Sequence, residues 1–440
     1  MKNALICLEK LDIGGVETFT ITQIEEFVRR GIKCYVMAKD GILSEKIKNK
    51  RNIKFIEYDF VLKNEIDFKK NAEIEKIIKK YKIDFIYVHQ FSCIPYILPC
   101  AFKYKVPYVA YLHNIVPGTL HWYLKYVSIF RSLFPIFFEN ASKIIAITKP
   151  VKKEHQELFK LKDDKYLIIN NSLDFKKFPD IEIPKIPKKY KKLLLFGRVS
   201  EQKRNSIETA IKFYNWSKEN YNPNMKLTVV GDGEIFDEIV NKYKNTDIVF
   251  KGAVSDMKSQ IEKADILLGV DRCMLEAVGS KKPAVICGYN ENVSLITKEK
   301  LDTCIEENFG GYSLKDDKEE VFNMSIDDMK KNIEDCYQHI RKELSITDCV
   351  YLDIKPFPNI FDIDYYFNDI NRMAKDWDRL QELNWLIKEE NEFITDELGN
   401  IVGTRKRVLR KLYKDKKRKV RKKLSKTKQF LKKIINKEKK

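Results

Sequence analysis

At 440 residues and 44% hydrophobic content, the chain holds enough material for two ordinary domains, each with its own core. Its net charge of +19 is concentrated in residues 405–440, where 20 Lys or Arg face only Asp415 and Glu438, a local net of +18. The remainder is almost neutral, which argues against an extended nucleic-acid channel through the folded body.

Nine scattered cysteines without a CxxC pair suggest neither a disulfide framework nor a zinc site, and reduced thiols are expected. The opening MKNALICLEKLDIGG has too short an apolar run for a signal peptide, and no uninterrupted apolar segment is long enough to span a bilayer.

Short apolar runs alternate with helical spacings along the chain. Strands are predicted at Ala4 to Leu8, Lys33 to Met37, Ile53 to Tyr58, Phe85 to His89, Tyr108 to Leu112 and Ile144 to Ile147. Helices such as Glu17 to Arg30 and Ile74 to Tyr81 fall between them, so residues 1–178 read as βα units around a parallel sheet. The Pro- and Lys-rich stretch PDIEIPKIPKKYKK supplies a linker, placed at 179–190. The pattern restarts at Leu193 to Phe196, Leu227 to Val230, Ile248 to Phe250, Ile266 to Leu268 and Ala284 to Ile286, giving a second domain over 191–350. Two doubly wound α/β domains are therefore predicted, with ligands in a cleft at the carboxyl ends of their strands. Residues 351–404 read as a helical extension in which Trp377 and Trp385 pack on another element, returning toward the first domain.

Three loops carry the candidate chemistry. In LDIGGVETF a strand gives way to a helix, and Gly14 and Gly15 are expected to take backbone conformations closed to other residues and to let a ligand approach the helix start. FGRVSEQKR repeats that grammar at Gly197: Arg198 can fork around phosphate oxygens, and Lys203 adds a point charge from another side. Two cations there suit a departing diphosphate, because charge accumulates on the leaving group. In ADILLGVDRCMLEAVGSKKPAVICG a helix beginning near Arg272 or Cys273 points its first-turn amides, those of Arg272, Cys273, Met274 and Leu275, at the same cleft. Glu276, one turn in, could accept hydrogen bonds from the two hydroxyls of a ribose. A plain turn for the glycine pair, a solvated basic turn and a solvated helical Glu are the plainer readings of these residues, as a structural histidine is for His113, beside an asparagine at a strand's end.

LDIGGVETF, the HN of 113–114, NNSLDFKKF, FGRVSEQKR, VVGDGE, the F-x-G of VFKG, ADILL and LEAVGSKKPAV stand in the order and approximate spacing of the family 4 retaining glycosyltransferases. Over residues 4–290, and more weakly to 345, the chain resembles that family. The resemblance implies the GT-B fold, two Rossmann-like domains facing a central cleft. A nucleotide sugar, UDP-linked by expectation, binds mainly to the second domain and a glycan or lipid-linked acceptor to the first, with no metal or other cofactor. On this resemblance Arg198 and Lys203 grip the donor diphosphate, and Glu276 holds the ribose as the second glutamate of a Glu-x7-Glu motif. Gly15 lies beside the donor phosphates, and His113 approaches the transferred sugar. Retention of the anomeric configuration is implied in the same way.

The chain departs from the family where the donor sugar is held. Leu268 replaces the first glutamate, and GVDRCM replaces the usual glycine-rich run, with Asp271 and Arg272 as alternative polar groups. Asn171, Ser172, Leu173 and Asp174 stand where the family commonly has Asn, Gly, Val and Asp. A missing carboxylate removes a partner for a sugar hydroxyl and leaves the sugar's identity open.

Two further segments bear on partners. TLHWYLKYVSIFRSLFPIFF, residues 119–138, is either a buried helix and loop or a surface touching lipid or a lipid-linked acceptor. In the tail, Val408, Leu409, Leu412, Tyr413, Val420, Leu424, Phe430, Leu431, Ile434 and Ile435 recur at near-helical intervals among the cations. That suits a basic amphipathic helix on anionic lipid, with nucleic-acid contact or partner binding as other uses of the same charge. The expectation is a cytoplasmic-side hexosyltransferase of surface-polysaccharide synthesis, peripheral on the cell membrane. A nucleotide-sugar isomerase or hydrolase on the same fold, or an inactive membrane-associated scaffold, are the alternatives.

Overall fold

The computed structural model describes residues 2–61, 65–113, 127, 129–254, 256–347, 350–354, 367–379 and 381–382. In the first half, strands β1 (Asn3–Lys10), β2 (Lys33–Lys39), β3 (Ile53–Glu57), β4 (Phe85–Val88), β5 (Tyr108–Leu112), β6 (Lys143–Ala146) and β7 (Tyr166–Ile168) form one parallel sheet in the order β3-β2-β1-β4-β5-β6-β7. Helices α1 (Gly15–Arg29), α2 (Glu45–Lys48), α3 (Phe68–Tyr81), α4 (Ile94–Tyr104), α5 (Phe130–Asn140) and α6 (Lys149–Phe159) connect them. Covered on both faces, the central strands are apolar throughout: every residue of FIYV and of YVAYL is buried. Period-2 alternation then sorts β1 and β2. Leu5, Cys7, Tyr35 and Met37 enter the cluster shared with α3, α4 and α5, whereas Ala4, Ile6, Val36 and Ala38 enter the one under α1.

The second sheet comprises β8 (Lys192–Phe196), β9 (Lys226–Val230), β10 (Val249–Phe250), β11 (Ile266–Gly269), β12 (Ala284–Cys287) and β13 (Val293–Leu295), in the order β10-β9-β8-β11-β12-β13. All its pairings are parallel except β12 with β13. Its helices are α7 (Arg204–Asn220), α8 (Phe236–Lys242), α9 (Met257–Lys263), α10 (Arg272–Gly279), α11 (Lys298–Glu306), α12 (Glu320–Asn323) and α13 (Ile326–Glu343). Leu193 and Leu195 of β8 face one core cluster and Leu194 and Phe196 the other. Two Rossmann-like domains with a cleft between them, the architecture expected from the sequence, are thus present.

The chain passes between the sheets twice, and the two passages are tied together. Leu173 N–H donates to Leu344 C=O at 2.9 Å and Ile346 N–H to Leu173 C=O at 3.0 Å, forming an isolated bridge. Beyond it, Ile346, Val350, Tyr351, Leu352 and Ile354 pack on the α1 face of the first sheet. Residues 367–379 are helical, and Phe367, Ile370 and Ala374 are buried on the opposite face. Asn371 seals that return by accepting from Ile66 N–H at 2.6 Å and donating to Ile66 C=O at 3.0 Å. Trp385 and the basic tail lie outside the described residues.

Within 119–138, residues 119–126 and 128 are also outside the description. In the described remainder Phe130, Leu133, Phe134, Phe137 and Phe138 are buried on α5 while Arg131 and Pro135 are exposed, which favours the buried-helix reading there. Among the described residues no helix is long and apolar enough to cross a membrane. All eight described cysteines are free, and all but Cys273 are buried.

Candidate active site

The LDIGG loop follows β1 and the GRVSEQK loop follows β8, so both leave the carboxyl ends of central strands, and they meet. Arg198 reaches across to the first domain, its Nε and Nη2 donating to Ile13 C=O at 3.3 and 3.1 Å. Its Nη2 is also 3.7 Å from Glu17 Oε2. Glu17 sits in the first turn of α1 and is buried; loss of solvent raises its carboxyl pKa, and the nearby Arg198 offsets only part of that.

The glycines act differently from the sequence expectation. Neither Gly14 nor Gly15 has a positive φ; Gly14 is extended, at φ −169°. What Gly14 supplies is room, because a Cβ there would lie 2.1 Å from Glu17 Oε2 and 2.5 Å from Arg198 Nη2. A Cβ on Gly15 would meet only the Arg272 Cβ, at an ordinary 3.8 Å. Gly197 does take a left-handed conformation, φ +137°, and its absent Cβ makes space for Cys273 Sγ.

Lys203 ends a short 3-10 turn, and its Nζ lies 2.8 Å from Asp271 Oδ2, just before α10. Burial works against its charge, but the Asp271 carboxylate outweighs it and holds the ammonium above its usual pKa. Asp271 Oδ2 also accepts from Tyr289 Oη at 2.8 Å.

On α10 the structure separates side chains that the sequence grouped. Met274 and Leu275 are fully buried in the core, so only their backbone could serve a ligand. Arg272 is buried too and acts as a strap, donating from Nη1 to Ser172 C=O at 3.0 Å and from Nε to Glu276 Oε1 at 3.1 Å. Glu276 is thereby oriented while staying about one-fifth exposed. Cys273 is half-buried, its thiol pushed up to about 12 by burial and so protonated.

His113 follows β5 and stacks on Tyr111, with ring centroids 5.2 Å apart. Its Nε2 is 3.0 Å from His89 Nδ1, and Phe19 of α1 meets its ring edge-on. Burial pushes its pKa down to about 3, so it is a neutral hydrogen-bonding group at physiological pH. His89 is deeper and likewise held neutral. Asn114 lies outside the described residues.

The structure therefore brings Gly14, Arg198, Lys203, Gly197 and the start of α10 into one cleft, with Arg272 against Gly15 and His113 on the first-domain side. Sequence reasoning missed Glu17, His89 and Tyr289. An acid three residues past a glycine resembles a routine first-turn charge, and nothing local discloses its burial. Among the described residues no group of three or more His, Cys, Asp or Glu is arranged to hold a metal ion.

A family model described as Glycosyltransferase Family 4 matches residues 13–177. No curated protein matches the chain by sequence. Similar solved structures include the Anabaena protein Alr3699/HepE in complex with UDP and glucose, 15% identical with a TM-score of 0.56 over 79% of this chain and 97% of that one. A glycosyltransferase from Rickettsia africae is 18% identical, with a TM-score of 0.50 over 78% and 94% of the two chains. S. aureus TarM, in a complex that includes UDP, is 13% identical, with a TM-score of 0.54 over 79% and 98%. At such identities the likeness is one of fold, and the chain has the two-domain GT-B architecture that these structures share.

Proposed function

We propose that the protein is a retaining glycosyltransferase that moves a sugar from a nucleoside-diphosphate sugar, UDP-linked by preference, to a hydroxyl of a glycan or lipid-linked acceptor. The observation that carries this reading is the convergence of Arg198 and Lys203 with the Gly14 loop and the start of α10 at the carboxyl ends of two facing sheets. The UDP present in the Anabaena and S. aureus structures, and the match of residues 13–177 to a glycosyltransferase family, support it.

In the reaction, the bond from the anomeric carbon to the diphosphate oxygen breaks as a bond from the acceptor oxygen forms, and the acceptor hydroxyl's proton passes to a phosphate oxygen of the departing diphosphate. Arg198 and Lys203 neutralise the charge that collects on the departing diphosphate, and first-turn amides of α10 add to that field. Glu276, held by Arg272, accepts from the ribose hydroxyls. His113, being neutral, orients the sugar by hydrogen bonding and donates no net charge. We place the acceptor in the first domain and the enzyme at the cytoplasmic face of the cell membrane, attached through residues 405–440, in surface glycan synthesis.

The deciding experiment is a screen of the purified protein against nucleotide sugars, reading released nucleotide with and without acceptor. Acceptor-dependent release and an identified linked product are expected. Conversion of the donor without any acceptor would instead point to an isomerase or hydrolase.

A further inference from the structure

Asp271 stands out in the cleft because its backbone is strained. Its φ of +60° and ψ of −143° lie in a region that glycine occupies freely and other residues seldom enter. The surroundings enforce this conformation. Asp271 N–H donates to Phe309 C=O at 3.0 Å, Phe309 itself has φ +60°, and the adjacent Tyr289 N–H donates to Gly310 C=O at 3.1 Å. A loop is thus built to hold a carboxylate where a glycine would be easier.

That carboxylate is placed next to the diphosphate cation. Oδ2 is 2.8 Å from Lys203 Nζ and 2.8 Å from Tyr289 Oη, while Oδ1 has no partner among the described residues. A phosphate seated on Lys203 would lie within about 6 Å of Asp271, two hydrogen-bond lengths away. A carboxylate so near a diphosphate repels it, so its retention needs a compensating contact. The group that follows the terminal phosphate of a nucleotide sugar is a ring bearing hydroxyl donors, and an ionised carboxylate is purely an acceptor. Tyr289 and the exposed Tyr312 are stacked beside it, centroids 5.3 Å apart and 17° from parallel, which offers an aromatic face to the apolar side of a pyranose.

We propose that Asp271 reads the donor sugar: its carboxylate accepts a hydrogen bond from a ring hydroxyl, while Tyr289 and Lys203 hold it in place. This rests on the reading of the cleft as a nucleotide-sugar site. It assigns sugar choice to a carboxylate three positions after Leu268, where no acid is present.

The test measures dissociation constants of UDP, GDP and ADP and of their hexose conjugates for the full chain, for Asp271→Asn and for Tyr289→Phe. Asn is nearly isosteric with Asp, tolerates positive φ better than most residues, and replaces the charge and one acceptor oxygen by an amide N–H donor. Expected for Asp271→Asn is a 10- to 100-fold weakening of the preferred sugar nucleotide, with the parent diphosphate changed less than about 3-fold or tightened because Lys203 is released. Tyr289→Phe keeps the ring and should raise the ratio of the two constants about 3- to 10-fold; it carries the test alone if Asp271→Asn does not fold. Equal weakening of both ligands, or an unchanged ratio, would show that Asp271 only braces Lys203 and overturns the proposal. If the wild-type chain binds no diphosphate or conjugate, the nucleotide-sugar reading itself fails, and this one with it.

Discussion

Gly14 and Gly15 look equivalent in a sequence and are not equivalent in space. An alanine at Gly14 would push its Cβ into the far ends of Arg198 and Glu17, both able to swing aside, so the fold should survive while the guanidinium leaves the cleft. Gly14→Ala is therefore expected to lower the melting temperature little and to weaken nucleoside-diphosphate binding about 10-fold or more, the scale of a charge-assisted contact. Gly15→Ala, with one ordinary contact, should bind nearly as wild type. Equal effects from the two would sink this account. The buried histidines give a second residue-scale expectation. His155 accepts or donates at 2.7 Å with Tyr166 Oη, lies between Phe138 and Phe159, and is pushed down to about 3 by burial, as is His113. His89 is also lowered. Their folded pKa values lie below the unfolded value of about 6.5, so the unfolded chain takes up protons that the fold refuses. Their neutral-state stability is complete above about pH 6.5 and falls as the pH drops, by about 1.4 kcal/mol per pH unit for each. Urea titrations from pH 7 to 4 should show that slope, and His155→Leu should flatten it by about one histidine's share.

At the scale of elements, three helices end on lysines in the left-handed region: Lys82, Lys105 and Lys160, with φ of 48°, 53° and 53°. Glycine is the residue such C-caps favour, since a Cβ opposes the conformation. Lys82 and Lys160 are solvent-exposed. Replacing each by Gly should stabilise the protein by about 0.5–1 kcal/mol, net of the extra chain freedom glycine gives the unfolded state, and raise the melting temperature. Loss of stability would mean the lysine side chains contribute more than the strain removes. The central elements were legible because buried parallel strands are continuous apolar runs: Tyr108–Leu112 has the bounds expected from its sequence, and the other expected strands differ by one or two residues at either end. Strands β7 and β13 were missed, each only three residues long at a sheet edge and too short to show a period. Helix α3 begins at Phe68, well before the expected Ile74, because Asp67 caps it by accepting from the amides of Lys69 and Lys70. The cations of the site were legible from their position after a strand. Their partners were not: Ile13, Glu17 and Asp271 reach Arg198 and Lys203 only through the fold, and no local spacing encodes those meetings.

For the whole molecule, the bridge at Leu173 ties the two passages between the domains, and the following segments, 350–354 and 367–374, clasp the first sheet on both faces. The described residues that line the cleft all precede residue 313, while nearly all of the net charge resides in residues 405–440. That division predicts separable functions. Each Lys or Arg held near an anionic bilayer contributes about 1 kcal/mol, so engagement of even a few of the 20 in this segment should suffice for attachment. A chain ending at Thr404 should keep its affinity for nucleoside diphosphates and lose binding to vesicles of mixed anionic and zwitterionic phospholipid by about 100-fold or more. The full chain should bind such vesicles, release them as salt shortens the screening length from about 10 Å at 0.1 M toward 3 Å at 1 M, and ignore purely zwitterionic ones. Co-sedimentation at several ionic strengths reads all three outcomes. Vesicle binding unchanged by the truncation would assign the membrane contact to the folded body, and tighter binding to a nucleic-acid duplex than to vesicles would assign the tail a different polyanion.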